Sequence, residues 1–274
     1  MAVDPVSRGT ERGAISLEQR PDPLTGKLYA VPWWLLAVMG VLIWAWYFIF
    51  SEMSYRDAFE FIIQGIWITV VTTLSAYGIA MVIGLVMGLG RVSRNVVFRN
   101  IARFYVEVVR GIPMLVLIFY VAFVAVVDFA GLLGLDGRDI PMNIRAIIAL
   151  AITYGAFSAE IFRAGIQSIG SGQMEAARSL GMSYGQAMRY IILPQAIRNV
   201  LPALANDFVA MLKDSSLVSV LAVRDITQVA RLHAGSTFRF RESYTILAVL
   251  YLSMTLLLSA GVQLLERRLH VGHK

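Results

Sequence analysis

The chain has 274 residues, of which 58% are hydrophobic and only 15% charged, with a formal net charge of +6. About 25% charged is usual for a soluble domain, and burial cannot hide so large an apolar fraction inside a water-soluble body of this size. The composition therefore reads as a polytopic membrane protein and excludes a soluble enzyme, a nucleic-acid-binding domain and a disordered scaffold.

In chain order, residues 1–32 mix charges with Gly and Pro and read as a flexible tail. The first apolar run, Trp33 to Phe50, starts too late for a cleaved leader and is expected to remain as an extra N-terminal span, 33–50. Charge-free runs follow at Phe61 to Gly90, Gly111 to Val127 and Ser243 to Leu265. Each approaches or exceeds the roughly 20 helical residues that a bilayer core requires. Two further spans carry charges: Arg145 to Phe162, apolar until Glu160, and Asn199 to Val223, which holds Asp207, Lys213 and Asp214. The expectation is six spans in an all-α integral membrane fold.

Orientation follows from Lys and Arg in alternate loops. The tail has Arg8, Arg12, Arg20 and Lys27, and the loop after span two has Arg91, Arg94, Arg99, Arg103 and Arg110. The loop after span four has Arg163, Arg178, Arg189 and Arg198, and the C-terminal tail 266–274 adds Arg267, Arg268 and Lys274. The loops at 51–60 and 128–143 have one arginine each against three carboxylates. Both termini are thus expected on the cytoplasmic side. Arg224, Arg231, Arg239 and Arg241 break the rule in the last outer segment.

Within span two, Ala76, Ala80, Gly84 and Gly88 place a small residue at every fourth position, a ridge for close helix approach. After it, Val97, Ile101, Phe104, Tyr105 and Val108 share one helical face and Arg99, Arg103, Glu107 and Arg110 the other. That pattern predicts a short amphipathic helix lying in the interface. Pro113 marks the start of the next span.

The inner segment 164–198 is patterned as two short helices about a glycine elbow. Ser171 or Gly172 caps a first helix with Glu175 in its first turn, and Gly181 supplies a left-handed stop. Ser183 and Gln186 form a capping box for a second helix that Pro194 ends. Such a protrusion transmits force or docks a partner.

Glu175-Ala176-Ala177, then Gly181, Ile191, Leu193 and Pro194 at their spacings, resemble the EAA loop of ABC-importer permeases. Tyr105-x-Glu107-x-x-Arg110-Gly111-x-Pro113, Ser158 to Arg163, Gly165 to Ser168, Gly172-Gln173 and Leu212 to Leu217 resemble the polar amino acid branch. The resemblance covers roughly 60–265 and implies a type I importer-like core of five spans, to which the first helix is an addition. It further implies a bacterial inner-membrane subunit of an amino acid importer working by alternating access. Its partners would be a dimer of ABC ATPases, a second permease (identical or paralogous) and an extracytoplasmic binding protein. Glu175 to Gly181 would seat in the ATPase. No Walker A pattern occurs, so ATP and Mg belong to the ATPase, and this chain is expected to be no enzyme and to hold no cofactor. With no cysteine and three histidines, it offers little for a metal centre.

Charges inside the membrane are costly and mark pathways, gates or buried pairs. Asp207 and Asp214 are seven residues apart on one helical face, and Lys213 is placed to neutralise one of them. With Asn206, Ser215 and Ser216, and more weakly Glu160, Ser158, Tyr154 and Thr153, they make a candidate substrate path or gate. Glu160 and Arg163 suit an interfacial pair. An aspartyl protease dyad needs carboxylates about 3 Å apart, whereas this spacing gives about 10 Å on one helix. An ion-coupled secondary transporter is the better rival, although no inverted repeat is evident.

Overall fold

A computed structural model describes residues 33–270, with side-chain detail incomplete beyond Leu264. The expected tail 1–32 and the last residues, 271–274, lie outside the described residues. All regular structure among them is helical: α1 Trp33–Ser51, α2 Met53–Ile62, α3 Ile66–Val92, α4 Val96–Gly111, α5 Met114–Tyr120, α6 Val126–Leu132, α7 Met142–Gln167, α8 Ser171–Ser179, α9 Tyr184–Ala187, α10 Leu193–Asp214, α11 Ile226–Thr237 and α12 Phe240–His270.

Five stretches are long and apolar enough to cross a bilayer: Trp33–Ser51, Met53–Val92, Met114–Leu132, Met142–Gln167 and Phe240–Leu264. The expected span Asn199–Val223 is helical, as α10 and a 3₁₀ extension Ser215–Leu221. It is not among those five, being too polar along its length. Three expected boundaries are corrected. The supposed loop 51–60 is mostly α2, which runs through one 3₁₀ turn (Ile63–Gly65) into α3. The supposed tail from residue 266 is helical to His270 as the end of α12. The span expected from Gly111 begins instead at Met114, with Pro113 at the N-cap (φ −55°, ψ 133°).

The chain divides after Trp44 into two compact units. In the first, the described part of α1 carries mostly exposed apolar side chains, among them Trp33, Trp34 and Trp44. In the second, α7 is the central helix, buried on most sides from Arg145 to Ile166. Helix α3 lies along it through the small-residue ridge: a Cβ at Gly84 would stand 2.5 Å from that of Ser158, and one at Gly88 2.7 Å from that of Phe162. The other flank of α3 presents Trp67, Leu74, Val82 and Val86, all exposed. In water that stripe would aggregate; in a bilayer it is the lipid face.

Two π turns interrupt the helices. Arg145, buried and without a carboxylate partner among the described residues, donates to the carbonyls of Ile140 (2.9 Å), Gly137 (2.7 Å) and Ala122 (3.2 Å). Ala122 lies in the π turn Val121–Ala125, so an arginine of α7 closes the irregularity between α5 and α6. The second turn, Met188–Ile192, joins α9 to α10. Pro194 therefore does not end a helix, as the pattern suggested. It occupies the first turn of α10, where its missing N–H is tolerated.

Candidate functional site

The connector between α7 and α10 is the first candidate. Helix α8 begins at Ser171 with Gly170 as N-cap, so neither Ser171 nor Gly172 caps it and Glu175 falls in its second turn. Its C-terminus is a Schellman closure: Met182 N–H donates to Ala177 O (3.2 Å) and Gly181 N–H to Arg178 O (3.0 Å). Gly181 sits at φ +82°, in the left-handed region a glycine tolerates without strain. The capping box is present: Ser183 Oγ accepts from Gln186 N–H (3.2 Å), and Gln186 Oε1 accepts from Ser183 N–H (2.8 Å). The first turn of the elbow is thus fixed by backbone hydrogen bonds and the second by reciprocal side-chain caps.

One side of this elbow is anchored. Ala177 is buried, and Met174, Met188 and Ile191 pack around Ile166, Ile192 and Ala196, with Leu89 and Val92 of α3. Arg94, in the turn after α3, lies over the Tyr184 ring at 4.5 Å. Asn199 Nδ2 donates to Ser168 Oγ (3.1 Å), tying α10 to the end of α7. The opposite side is open: Glu175, Ala176, Gly181 and Pro194 are exposed, and Leu180 is 84% exposed. Leu193 is half-buried at the root. Leu180, Gly181, Met182, Gln186 and Tyr190 line a shallow open hollow. A rigid, apolar-tipped projection of this kind suits a groove in another protein.

The second candidate lies where α3, α7 and α10 meet. Ser158 Oγ donates to Asp207 Oδ2 (3.1 Å), and Tyr154 Oη donates to Asp214 Oδ2 (2.7 Å). Tyr154 and Ser158, one turn apart on α7, thus each serve a carboxylate of α10. Tyr77 joins them from α3, donating to Leu204 O (2.5 Å), with its ring 5.0 Å from that of Phe208. The sequence reading missed Tyr77; its signal was a lone polar aromatic beside the small-residue ridge. Tyr154 and Ser158 are buried, while Asp207 and Asp214 are half-buried. The remaining carboxylate oxygens are acceptors, suited to a cationic or ammonium-bearing guest.

Other expected members stand elsewhere. Lys213 is exposed and pairs with neither aspartate among the described residues. Asn206 is exposed and reaches Pro202 O (3.1 Å) and Glu266 of α12 (3.4 Å). Ser215 donates to Leu212 O (2.7 Å) in the 3₁₀ turn, with Ser216 half-buried beside it. Thr153 donates to Ala149 O (2.8 Å) within its own helix. Glu160 belongs to an ion cluster at the end of α7: it pairs with Arg163 and with Arg91 (2.9 Å), and Arg91 lies 3.8 Å from Glu107 of α4. Among the described residues no group of three His, Cys, Asp or Glu is placed to hold a metal ion.

In the segment 224–241, Arg239 lies 3.9 Å from Asp57 and Arg231 donates to Ser219 O (3.3 Å). Asp225 caps α11, and the turn there approaches α3 so closely that a Cβ at Gly65 would meet the Asp225 backbone at 2.7 Å. Two of the four anomalous arginines therefore have structural partners.

Residues 80–271 match the family of binding-protein-dependent transport system inner membrane components. The histidine/lysine/arginine/ornithine transport system permease protein HisQ of Salmonella typhimurium is 35% identical over 78% of this chain and 95% of its own length. The glutamine transport system permease protein GlnP of Escherichia coli is 33% identical over 81% and 99%. The crystal structure of an amino acid ABC transporter with histidines superimposes with a TM-score of 0.69 at 40% identity, covering 80% of this chain and 98% of that one. These likenesses give the ion-coupled alternative no support.

Proposed function

Because the chain belongs to the family of binding-protein-dependent transport system inner membrane components, we propose that it is the permease subunit of an ATP-driven importer of polar amino acids. The relatives and the solved neighbour carry amino acid transport in their names. The observation specific to this chain is the elbow 164–198, whose anchored side packs on the spans and whose open side carries Glu175, Ala176 and Leu180.

In this reading the elbow seats in a separate ABC ATPase, which binds ATP and Mg. Closure of the ATPase pair pushes on α8. Ile166, Ile192 and Ala196 pass the push into α7 and α10, whose mutual shift opens the path to one side and then the other. Tyr77, Tyr154, Ser158, Asp207 and Asp214 line that path. The carboxylates receive an α-ammonium group. Lys213 and Asn206, facing away, act at the rim or not at all. Glu160, Arg91 and Arg163 form an inner latch. The working unit is a pair of permeases, identical or paralogous, with two ATPases and an extracytoplasmic binding protein.

Crossing of the bilayer by α10 makes six spans with both termini cytoplasmic, in keeping with the arginine distribution. Helix α1 is an addition to a five-span core. Near-complete coverage of the relatives by about four-fifths of this chain supports that division. The test is uptake by vesicles holding the complex purified with its ATPase and binding protein. Uptake should require internal ATP and survive a protonophore. ATP-independent uptake that a protonophore abolishes would refute the reading.

A further inference from the structure

Helix α4 has three faces rather than the two its sequence displays. At about 100° per residue, Val97, Ile101, Phe104 and Val108 fall within about 40° of one another's centre line. They are exposed by 68%, 54%, 70% and 42%. The buried sector is a different one: Ala102, Val106 and Val109 pack with Tyr105 against α3 and α7. Arg99, Arg103, Glu107 and Arg110 take the third. With four charges in its 16 residues, α4 cannot cross a bilayer. One apolar sector is spent on protein, and a second, as apolar, is left bare.

A helix flat in the headgroup layer satisfies all three sectors at once: bundle on one side, acyl chains below, and water and headgroups above. Asn95 fixes its start, its side chain accepting from Val97 N–H (2.9 Å) and Phe98 N–H (3.2 Å). The basic sector then lies at phosphate depth, where long arginine side chains reach sideways. We infer that α4 is a binding surface for anionic phospholipid of the leaflet on the elbow's side, with Arg99 and Arg103 taking the headgroup and Val97, Ile101, Phe104 and Val108 the acyl chains. The surface connects to the proposed coupling elbow, since Arg94, just before α4, covers Tyr184 at 4.5 Å, and Glu107 of α4 lies 3.8 Å from Arg91. The leaflet assignment rests on the orientation proposed above; lipid contact itself does not.

The chain has no cysteine, so Phe104→Cys, labelled with a bimane fluorophore before assembly, carries the chain's single reporter into the complex, reconstituted in vesicles. Brominated phosphatidylcholine should quench it and aqueous iodide should not. Brominated phosphatidylglycerol at the same fraction should quench more strongly. In an Arg99→Gln/Arg103→Gln background that excess should vanish, two arginines at about 1 kcal/mol each amounting to roughly 30-fold in headgroup preference. Iodide quenching would show a face in water, and quenching by neither reagent a face covered by protein. Equal quenching by the two lipids would show no headgroup selection. Each of these overturns the proposal. ATP-coupled uptake by the same vesicles is scored separately, so loss of uptake with quenching intact would count against the transport reading alone.

Discussion

Asp225 shows how a single buried group sets a pH dependence. It is fully buried at the N-cap of α11, with one oxygen accepting Gln228 N–H (2.9 Å). Its other oxygen and Gln228 Oε1 are buried with no hydrogen-bond partner among the described residues. Burial pushes the carboxyl up to about 6, and the hydrogen bonds from the Gln228 and Thr227 backbone only partly oppose this. A folded value above the unfolded one, about 3.9, means that the folded state holds the proton more tightly. The stabilisation is complete below about pH 4 and is lost as pH rises through about 6. Asp225→Asn keeps a capping oxygen and adds a donor that neutral Asn carries at every pH. The variant should therefore melt higher than the parent above pH 6, and the gap should close towards pH 4. A gap independent of pH would show that ionisation of Asp225 is not the cause. In the polar cluster, Asp207→Asn should lower uptake at least tenfold while the protein still folds and assembles. Tyr154→Phe, which loses only the hydroxyl on Asp214, should cost less. Unchanged uptake in both variants would remove the cluster from the path.

At the scale of elements, the small-residue ridge gives a paired prediction. Gly84→Val drives a side chain into Ser158 and the Ala159 backbone and should destabilise by about 1–3 kcal/mol. Gly78→Val, with nothing within 4 Å of its Cβ, should be tolerated in the same thermal unfolding assay. Arg145→Met should open the segment from Gly137 to Ile140 and raise its hydrogen exchange, because three carbonyls lose their donor together.

Five of the spans, the ridge, the Gly181 stop and the Ser183–Gln186 box were legible in the sequence. Each is a local rule of spacing, hydropathy or capping. What the sequence hid was relational. The bare stripe and the buried sector of α4 are both apolar, so only packing shows which one meets α3 and α7. Arg145 read as the start of a span, because its carbonyl partners at Ala122 and Gly137 belong to a distant π turn and to the connector before α7. Pro194 read as a stop, because a π turn leaves no mark in hydropathy. Lys213 read as the partner of a carboxylate because it is adjacent in sequence, yet adjacent helical residues point about 100° apart.

At the scale of the whole molecule, the elbow and the polar cluster share α7 and α10. The elbow hangs from their ends, and the polar cluster lies between the middle of α7 and the C-terminal half of α10. Gly165 lets the helices touch, its α-carbon facing Val200 so closely that no side chain fits. A push at α8 is therefore received by both walls of the proposed path. Glu175→Lys, on the open side of the elbow, should leave the fold and membrane insertion intact while ATP-driven uptake falls at least tenfold; uptake at the parental rate would remove Glu175 from the coupling. The most direct measurement is a photocrosslinker on Ala176→Cys, a fully chosen site in a chain with no other cysteine. The expected result is an adduct with the ATPase subunit and no labelling by impermeant thiol reagents added outside intact cells. Labelling from outside, or an adduct with the binding protein instead, would contradict it.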